Sequence, residues 1–216
     1  MKTKISSGEK ILFIGDSITD CGCRHESPPL GEGYVKIFSD MITVREPEKK
    51  VRIINKGVNG NSVKNLQDRW DEDVIKLKPD WLSVQIGIND LHKFLLERED
   101  NIQLDPTGFE EIYDSMLQKV KNDLPDCSII LIDPFYISTD LNSGSLNSHV
   151  LKLLPDYIKA VHILSEKYDT MLVKTHDLFL RRLKFQVPDI YCPEPVHPNS
   201  KGHFLIAEAV YIALRE

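Results

Sequence analysis

Residues 10–19 read KILFIGDSIT, an apolar run of strand length that stops at Gly15 and then presents the hydroxyl of Ser17. In a parallel α/β protein, ligands bind at the carboxyl ends of the strands. A serine at such a strand end is a candidate nucleophile when the chain also supplies a base and hydrogen-bond donors for an oxyanion. The stretch therefore predicts the first strand of a parallel sheet and defines what the rest of the chain must contain.

Strand-like and helix-like segments alternate along the whole chain. Apolar runs of strand length occur at 10–14, 51–55, 81–86, 128–133 and 170–174. Apolar residues with helical spacing occupy a segment that starts near Gly33 and the ranges 62–78, 107–122, 149–168 and 200–215. This alternation predicts one domain over residues 1–216, with a mostly parallel sheet and helices on both faces.

Composition restricts the class of protein. The chain has 216 residues, 41% of them hydrophobic, and a formal net charge of −6, which disfavours nucleic acid or an anionic membrane as the main partner. No apolar stretch is long enough to span a bilayer, and residues 1–9 lack the apolar core of a signal peptide, so we expect a cytoplasmic protein. The four cysteines are expected to be reduced and structural rather than metal ligands.

Three predicted strands end in residues that suit an active site. Gly15-Asp16-Ser17 follows the first, Gly57-Val58-Asn59-Gly60 the second, and Gly87-Ile88-Asn89-Asp90 the third. In a doubly wound sheet these loops meet around the topological switch point. A serine, a glycine N–H and an asparagine amide would then converge as a nucleophile with two neutral donors, and one such donor contributes about 3 kcal/mol to catalysis.

The C-terminal loop supplies the base. Glu194-Pro195-Val196-His197-Pro198 precedes the last predicted helix, and its prolines favour an extended conformation. A carboxylate three residues before a histidine can reach its Nδ1, orient the ring and stabilise the imidazolium that forms. His197 is therefore the candidate base and Glu194 its orienting acid.

Each of these residues also has a purely structural interpretation. Ser17, Asn89 and Asp90 are all favourable helix N-caps, and the glycines can simply end strands. Four such residues in the required chain order nevertheless favour an active site over coincidence. Phosphate binding is less favoured, because the chain has neither G-x-G-x-x-G nor Gly-Lys-Ser/Thr. The chain also lacks G-x-S-x-G, the nucleophile motif of the common α/β-hydrolases. The acidic group Asp68, Asp71, Glu72 and Asp73 is interpreted as a solvated helix face.

The four separated blocks resemble those of the SGNH (GDSL-type) hydrolases. The resemblance extends from residue 15 to about residue 203 and implies a flavodoxin-like three-layer α/β/α sandwich with a mostly parallel five-stranded sheet. It implies Ser17 as nucleophile, His197 as general base, and an oxyanion hole formed by the backbone N–H groups of Ser17 and Gly60 with the side chain of Asn89. It also implies that no cofactor or metal is needed. Candidate substrate-binding residues beside these blocks are Asp16, Asp90 and His92.

Further stretches are similar to the branch of that family containing acetylxylan esterases, namely residues 14–22, 31–35, 69–74 and 134–136. This similarity implies a serine esterase that removes acetyl groups from carbohydrate such as xylo-oligosaccharides, and it makes a homo-oligomer plausible. A lysophospholipase, thioesterase or arylesterase would use the same residues, and a non-catalytic sugar-binding module is the alternative from another class. The family usually has Asp-x-x-His where this chain has Glu194, so the acid is the departure to test.

Overall fold

The computed structural model describes residues 2–97, 100–140 and 142–215. Its five strands are β1 (Lys10–Gly15), β2 (Arg52–Gly57), β3 (Trp81–Gln85), β4 (Ser128–Ile132) and β5 (Met171–Val173). All pairs are parallel and the order is β2-β1-β3-β4-β5. The predicted strands are confirmed to within two residues at each end. Gly15, the last residue of β1, is aligned with Gly57 on one side and Gln85 on the other, so the ends of three strands lie side by side.

Eight α-helices connect the strands of the described chain. They are α1 (Ser17–Asp20), α2 (Tyr34–Arg45), α3 (Val63–Trp70), α4 (Ile88–Leu96), α5 (Pro106–Asp123), α6 (Leu146–Lys167), α7 (Thr175–Leu183) and α8 (Ser200–Ala213). A π-helical turn, Asp71–Ile75, extends α3, and short 3₁₀ turns occur at Ile102–Leu104 and Pro188–Ile190. Helix α2 contacts α8, and α5 contacts both α3 and α6, so two helical groups flank the sheet.

Sequence reasoning located five of these helices and missed α1, α4 and α7. Helix α4 begins after Gly87, which adopts a φ of +128° that glycine tolerates and other residues rarely adopt. Glycine has no side chain to cap the helix, so the sequence carries no N-cap signal at this position. Helix α1 is only four residues long. Of the described helices, none is long and apolar enough to cross a bilayer.

The core surrounds strand β1, which lies between β2 and β3. Ile11, Leu12, Phe13 and Ile14 are all fully buried, because helices cover both faces of β1, and this explains why the strand reads as a continuous apolar run. The chain then turns into α1 in very little space. A Cβ on Gly57 would lie 2.1 Å from the backbone nitrogen of Asp20, so only glycine lets α1 lie across the strand ends.

Candidate active site

Ser17 is held at the start of α1, directly beyond the end of β1. Asp16 is the N-cap of this helix, and its Oδ1 accepts a hydrogen bond of 3.0 Å from the N–H of Ile18. Ser17 is the first helical residue, so its own N–H has no acceptor within the helix and is available to a ligand. Asp16, and not Ser17, therefore caps this helix, so the structural interpretation of Ser17 as an N-cap does not apply and its hydroxyl is free for another role.

His197 meets Ser17 from the loop before α8. Its Nε2 lies 2.8 Å from the Ser17 Oγ, and its Nδ1 is hydrogen-bonded to Oε1 of Glu194. The same Glu194 oxygen accepts the backbone N–H of His197 at 2.8 Å, while Oε2 accepts that of Val196 at 3.0 Å. The longer glutamate side chain thus folds back onto its own loop, and the carboxylate reaches the ring despite the extra methylene.

The electrostatics of Glu194 suit an orienting acid. Partial burial disfavours its charge, but the hydrogen bonds from the two backbone N–H groups and the His197 ring outweigh that effect and hold its pKa below the ordinary value. The carboxylate is consequently ionised at neutral pH. An ionised carboxylate on Nδ1 leaves Nε2 as the acceptor facing Ser17, which is the tautomer that a general base needs.

Three donors face the same space as the Ser17 hydroxyl. Gly60 adopts a φ of +72° at an exposed turn, and its N–H donates to no group in the described chain. Asn89 donates one amide hydrogen to the carbonyl of Asn61 at 3.1 Å, which orients the amide and leaves its second hydrogen free. Ser17, Gly60, Asn89 and His197 all line one cavity of about 650 Å³. The arrangement can bind an ester carbonyl, attack it and stabilise the resulting oxyanion.

The rest of the cavity wall includes several polar residues. Glu26, Ser27, Glu32 and Asn59 contribute side chains to it, and Ser27 Oγ donates to Glu32 at 2.7 Å. These residues lie in the loops after β1 and β2. Sequence reasoning placed Asn59 in the block that ends at Gly60 but assigned a substrate-binding role to none of the four, since nothing in their local pattern distinguishes them from other loop residues.

His203 closes the floor of the cavity without competing for the role of base. It is 5% exposed, its Nδ1 accepts the N–H of Tyr34 at 3.2 Å, and its Nε2 lies 3.4 Å from Cys21 Sγ. Burial lowers its pKa to about 4, so the ring is neutral near pH 7. Its position therefore fits a packing role rather than that of a base.

Two of the candidate substrate-binding residues lie away from the cavity. Asp16 and Asp90 are 1% and 0% exposed, and neither is among the residues that line the cavity, so in this structure neither carboxyl is open to a substrate. Asp90 accepts the N–H of Val63 at 2.8 Å and thereby ties α4 to the start of α3. Burial raises the pKa of each carboxyl from 3.8 to about 7. Both side chains hold the loops in place instead.

His92 also lies outside the cavity wall. Its ring packs edge-on against Tyr136, with centroids 5.7 Å apart, and its Nε2 is buried. Burial lowers its pKa, with an opposing effect of the nearby Glu194 charge. The ring therefore packs against Tyr136, close enough to Glu194 to sense its charge, and is not among the residues that line the cavity.

The cysteines contribute no metal site. Cys21, Cys23, Cys127 and Cys192 are all free thiols. Across residues 2–97, 100–140 and 142–215, no three His, Cys, Asp or Glu side chains are grouped so that they could hold a metal ion.

A parallel α/β sheet with serine, histidine, a carboxylate and three oxyanion donors at its strand ends defines a serine-type ester hydrolase. The GDSL-like lipase/acylhydrolase family model matches residues 13–205, and the chain belongs to that family. It is a carboxylic ester hydrolase.

Known relatives are similar over their full length. An acetylxylan esterase of Geobacillus stearothermophilus is 37% identical over 214 residues, which cover 95% of this chain and 94% of the relative. The crystal structure of that enzyme, Axe2, superimposes with a TM-score of 0.86 at 34% identity, covering 98% of this chain and 96% of the other. An α/β hydrolase from the metagenome of Lake Arreo, Spain, gives a TM-score of 0.85 at 29% identity, with coverages of 97% and 96%.

Variants of Axe2 provide a chemical comparison. Structures described as catalytic mutants of that enzyme replace one serine, one aspartate and one histidine by alanine. The aspartate and histidine of Axe2 are three residues apart, as are Glu194 and His197 in this chain. The comparison concerns residue types and spacing, and among these three residues only the type of the acid differs between the two proteins.

Proposed function

We propose that this protein hydrolyses acetyl esters of short carbohydrates such as xylo-oligosaccharides. The polar residues in the wall of the cavity beside Ser17 carry this proposal. A sugar presents many hydroxyl groups, and Glu26, Glu32 and Asn59 offer it acceptors close to the nucleophile. A long acyl chain would need an extended apolar groove, and Ile18 is the one large aliphatic side chain among the residues that line this cavity.

Ser17, His197 and Glu194 would perform the reaction in two steps. His197 Nε2 removes the hydroxyl proton of Ser17 while Oγ attacks the acetyl carbonyl. The N–H groups of Ser17 and Gly60 and the Asn89 amide stabilise the oxyanion, and His197 then returns the proton to the departing sugar oxygen. Water, deprotonated by His197, attacks the acetyl-serine and releases acetate with regeneration of Ser17.

The experiment is a panel of esters that differ in acyl length and in alcohol. The assay compares kcat/KM for p-nitrophenyl acetate, butyrate and octanoate with acetate release from an acetylated xylo-oligosaccharide. We expect a decrease from acetate to octanoate and turnover of the oligosaccharide. Faster hydrolysis of octanoate would instead favour a lysophospholipase or thioesterase.

The Ser17→Ala variant is the background control for this panel. We expect it to lose hydrolysis of every ester and to keep the fold, because the serine hydroxyl contacts His197 alone in the described chain. Retained hydrolysis would overturn the mechanism. A wild-type protein that binds the oligosaccharide without releasing acetate would favour a sugar-binding module.

Two further parts of the proposal concern the state of the protein in the cell. We place it in the cytoplasm, where it would act on short oligosaccharides after uptake, and we expect self-association. Activity in the cytosolic rather than the extracellular fraction of its source cells tests the first part. Light scattering after size exclusion tests the second, and a mass near 24.8 kDa, that of one chain, would contradict it.

A further inference from the structure

The guanidinium group of Arg69, on α3, lies behind the active-site loops and outside the cavity. Its Nε donates to Oδ1 of Asn61 at 2.9 Å, and Nη1 donates to the carbonyl of Lys56 at 2.8 Å. Nη2 lies 3.3 Å from the carbonyl of Gly15. One planar group thus joins the end of β1, the end of β2 and the loop that follows β2.

Each of these contacts lies close in sequence to a group of the active site. Gly15 is two residues before Ser17, and Asn61 follows Gly60 directly. The carbonyl of Asn61 also accepts the hydrogen bond that orients the Asn89 amide. The nucleophile and all three oxyanion donors are therefore connected to Arg69 through one or two residues.

The side chain of Arg69 is itself fixed. Its Nη1 forms an ion pair of 2.7 Å with Asp73, which lies in the π-helical turn after α3 and also pairs with Lys56 Nζ at 2.8 Å. Burial disfavours the charge of Asp73, but the hydrogen bonds from Lys56 and Arg69 outweigh it and hold its pKa below the ordinary value. Asp73 was expected on a solvated face, and that expectation was wrong because the turn directs it inward to 14% exposure.

We propose that Arg69 is a positioning residue for ester hydrolysis, which sets the distance between the Ser17 segment and the oxyanion donors from outside the cavity. A guanidinium suits this role because its donors have a fixed planar geometry that a lysine ammonium cannot reproduce. Small displacements matter here, since a misplacement of about 1 Å in an active site can reduce the rate about 100-fold. The proposal rests on ester hydrolysis at this site and does not depend on the identity of the sugar.

The first test is Arg69→Lys, assayed with p-nitrophenyl acetate. Lysine keeps the positive charge beside Asp73 but cannot contact the three loop acceptors together. We expect kcat to fall about 10- to 100-fold while KM changes by less than about threefold. The matched control is Arg45→Lys. Arg45, on α2, lies over the ring of Tyr211 on α8, and within the described residues it forms no hydrogen bond to an active-site loop. Its kcat should stay within about twofold of the wild type.

The second test separates positioning from general stabilisation. If Arg69 acts through the oxyanion donors, the loss caused by Arg69→Lys should be smaller when Asn89→Ala has already removed one donor. The double variant should then be more active than the product of the two single losses predicts. Equal, multiplicative losses would overturn the proposal, as would a folded Arg69→Lys variant with kcat within about twofold of the wild type.

A third variant keeps the proposal testable if Arg69→Lys does not fold. Asn61→Ala removes the contact with Nε from the side of the loop and leaves the Arg69–Asp73 pair in place. We expect a smaller loss of kcat with KM nearly unchanged, and an unaltered kcat would contradict the proposal. Because p-nitrophenyl acetate reports any ester hydrolysis, rejection of acetylated sugars as substrates would leave this result interpretable.

Discussion

Glu194 is the acid hydrogen-bonded to His197, which in turn is hydrogen-bonded to Ser17. Its contribution to the reaction rate can be tested by replacing it with glutamine. Its carboxylate accepts hydrogen bonds from the His197 ring and from the backbone N–H groups of Val196 and His197. Glutamine has nearly the same shape and removes the charge that stabilises the imidazolium in the transition state. Glu194→Gln therefore keeps the packing nearly unchanged but removes the charge and, because its NH2 replaces one of the two accepting oxygens, one acceptor as well.

The structure limits the size of this effect. A hydrogen bond to a charged group contributes about 1.5–3 kcal/mol, and the lower half of that range applies because the side chains of His197 and Glu194 are 57% and 47% exposed. At about 1.4 kcal/mol per factor of ten, kcat should fall about 10- to 40-fold. Glu194→Ala also removes the acceptor of both backbone N–H groups, so its loss should reach about 100-fold.

Glu194→Asp is expected to be tolerated, within about tenfold of the wild type. An aspartate is one methylene shorter, so it should keep the contact with the ring at the expense of a backbone contact. The assay is kcat for p-nitrophenyl acetate at pH 8, with thermal unfolding as a check on the fold and Glu208→Gln on α8 as the matched control. A folded Glu194→Ala variant with kcat within about twofold of the wild type would remove this residue from the mechanism.

Three other substitutions test buried carboxyl groups and backbone geometry, at Asp90 and Gly60 beside the active site and at Glu46 away from it. Burial raises the pKa of Asp90 from 3.8 to about 7, so the wild-type free energy of unfolding should fall as pH rises through this window, whereas Asp90→Asn cannot ionise. Between pH 5 and pH 8, the free energy of unfolding of the variant, measured with urea, should rise by about 2–4 kcal/mol relative to that of the wild type. Equal dependence of the two free energies on pH would contradict this. Burial disfavours the charge of Glu46, but hydrogen bonds, first that from Lys49, hold its pKa below the ordinary value. The ionised carboxylate stabilises the fold above about pH 4.5, and this stabilisation is lost as pH falls through the lowered pKa. Glu46→Gln should therefore lower the free energy of unfolding by about 2 kcal/mol at pH 7 and by much less at pH 3. An equal loss at both pH values would refute the reasoning. Gly60→Ala should fold, because no atom would lie within 4 Å of the new Cβ, but its φ of +72° should lower the free energy of unfolding by about 1 kcal/mol. Displacement of the Gly60 N–H should lower kcat about five- to tenfold. A raised KM with unchanged kcat would remove the Gly60 N–H from the oxyanion hole.

The strands were the most predictable part of the fold. Both faces of the sheet are covered by helices, so each strand appears in sequence as a short apolar run bounded by polar or glycine residues. Helices with a complete apolar face, such as α5, were equally clear. Helix α7 was missed because it contributes only Thr175 and Phe179 to the buried interior, which is too few for a visible period.

The candidate site was predictable to the extent that each residue follows a recognisable boundary. Ser17 and Asn89 come directly after strands, and His197 comes from a loop marked by prolines. The supporting residues had no such signal. Asp16 and Asp90 are polar and lie in the same loops, and nothing in the local sequence distinguishes a carboxyl that faces a substrate from one that is buried beneath it.

The sequence by itself determined the chain order of the five strands and of five helices, the loops that meet at the sheet edge, and the types of the reacting groups. These depend on local periodicity and on residues next to strand ends. The tertiary structure alone decided which way each side chain points. It placed Glu194 on the His197 ring, buried Asp16 and Asp90, and joined Arg69 on α3 to the end of β1. Those outcomes depend on space and hydrogen-bond partners contributed by segments far apart in the chain, and no local pattern records them.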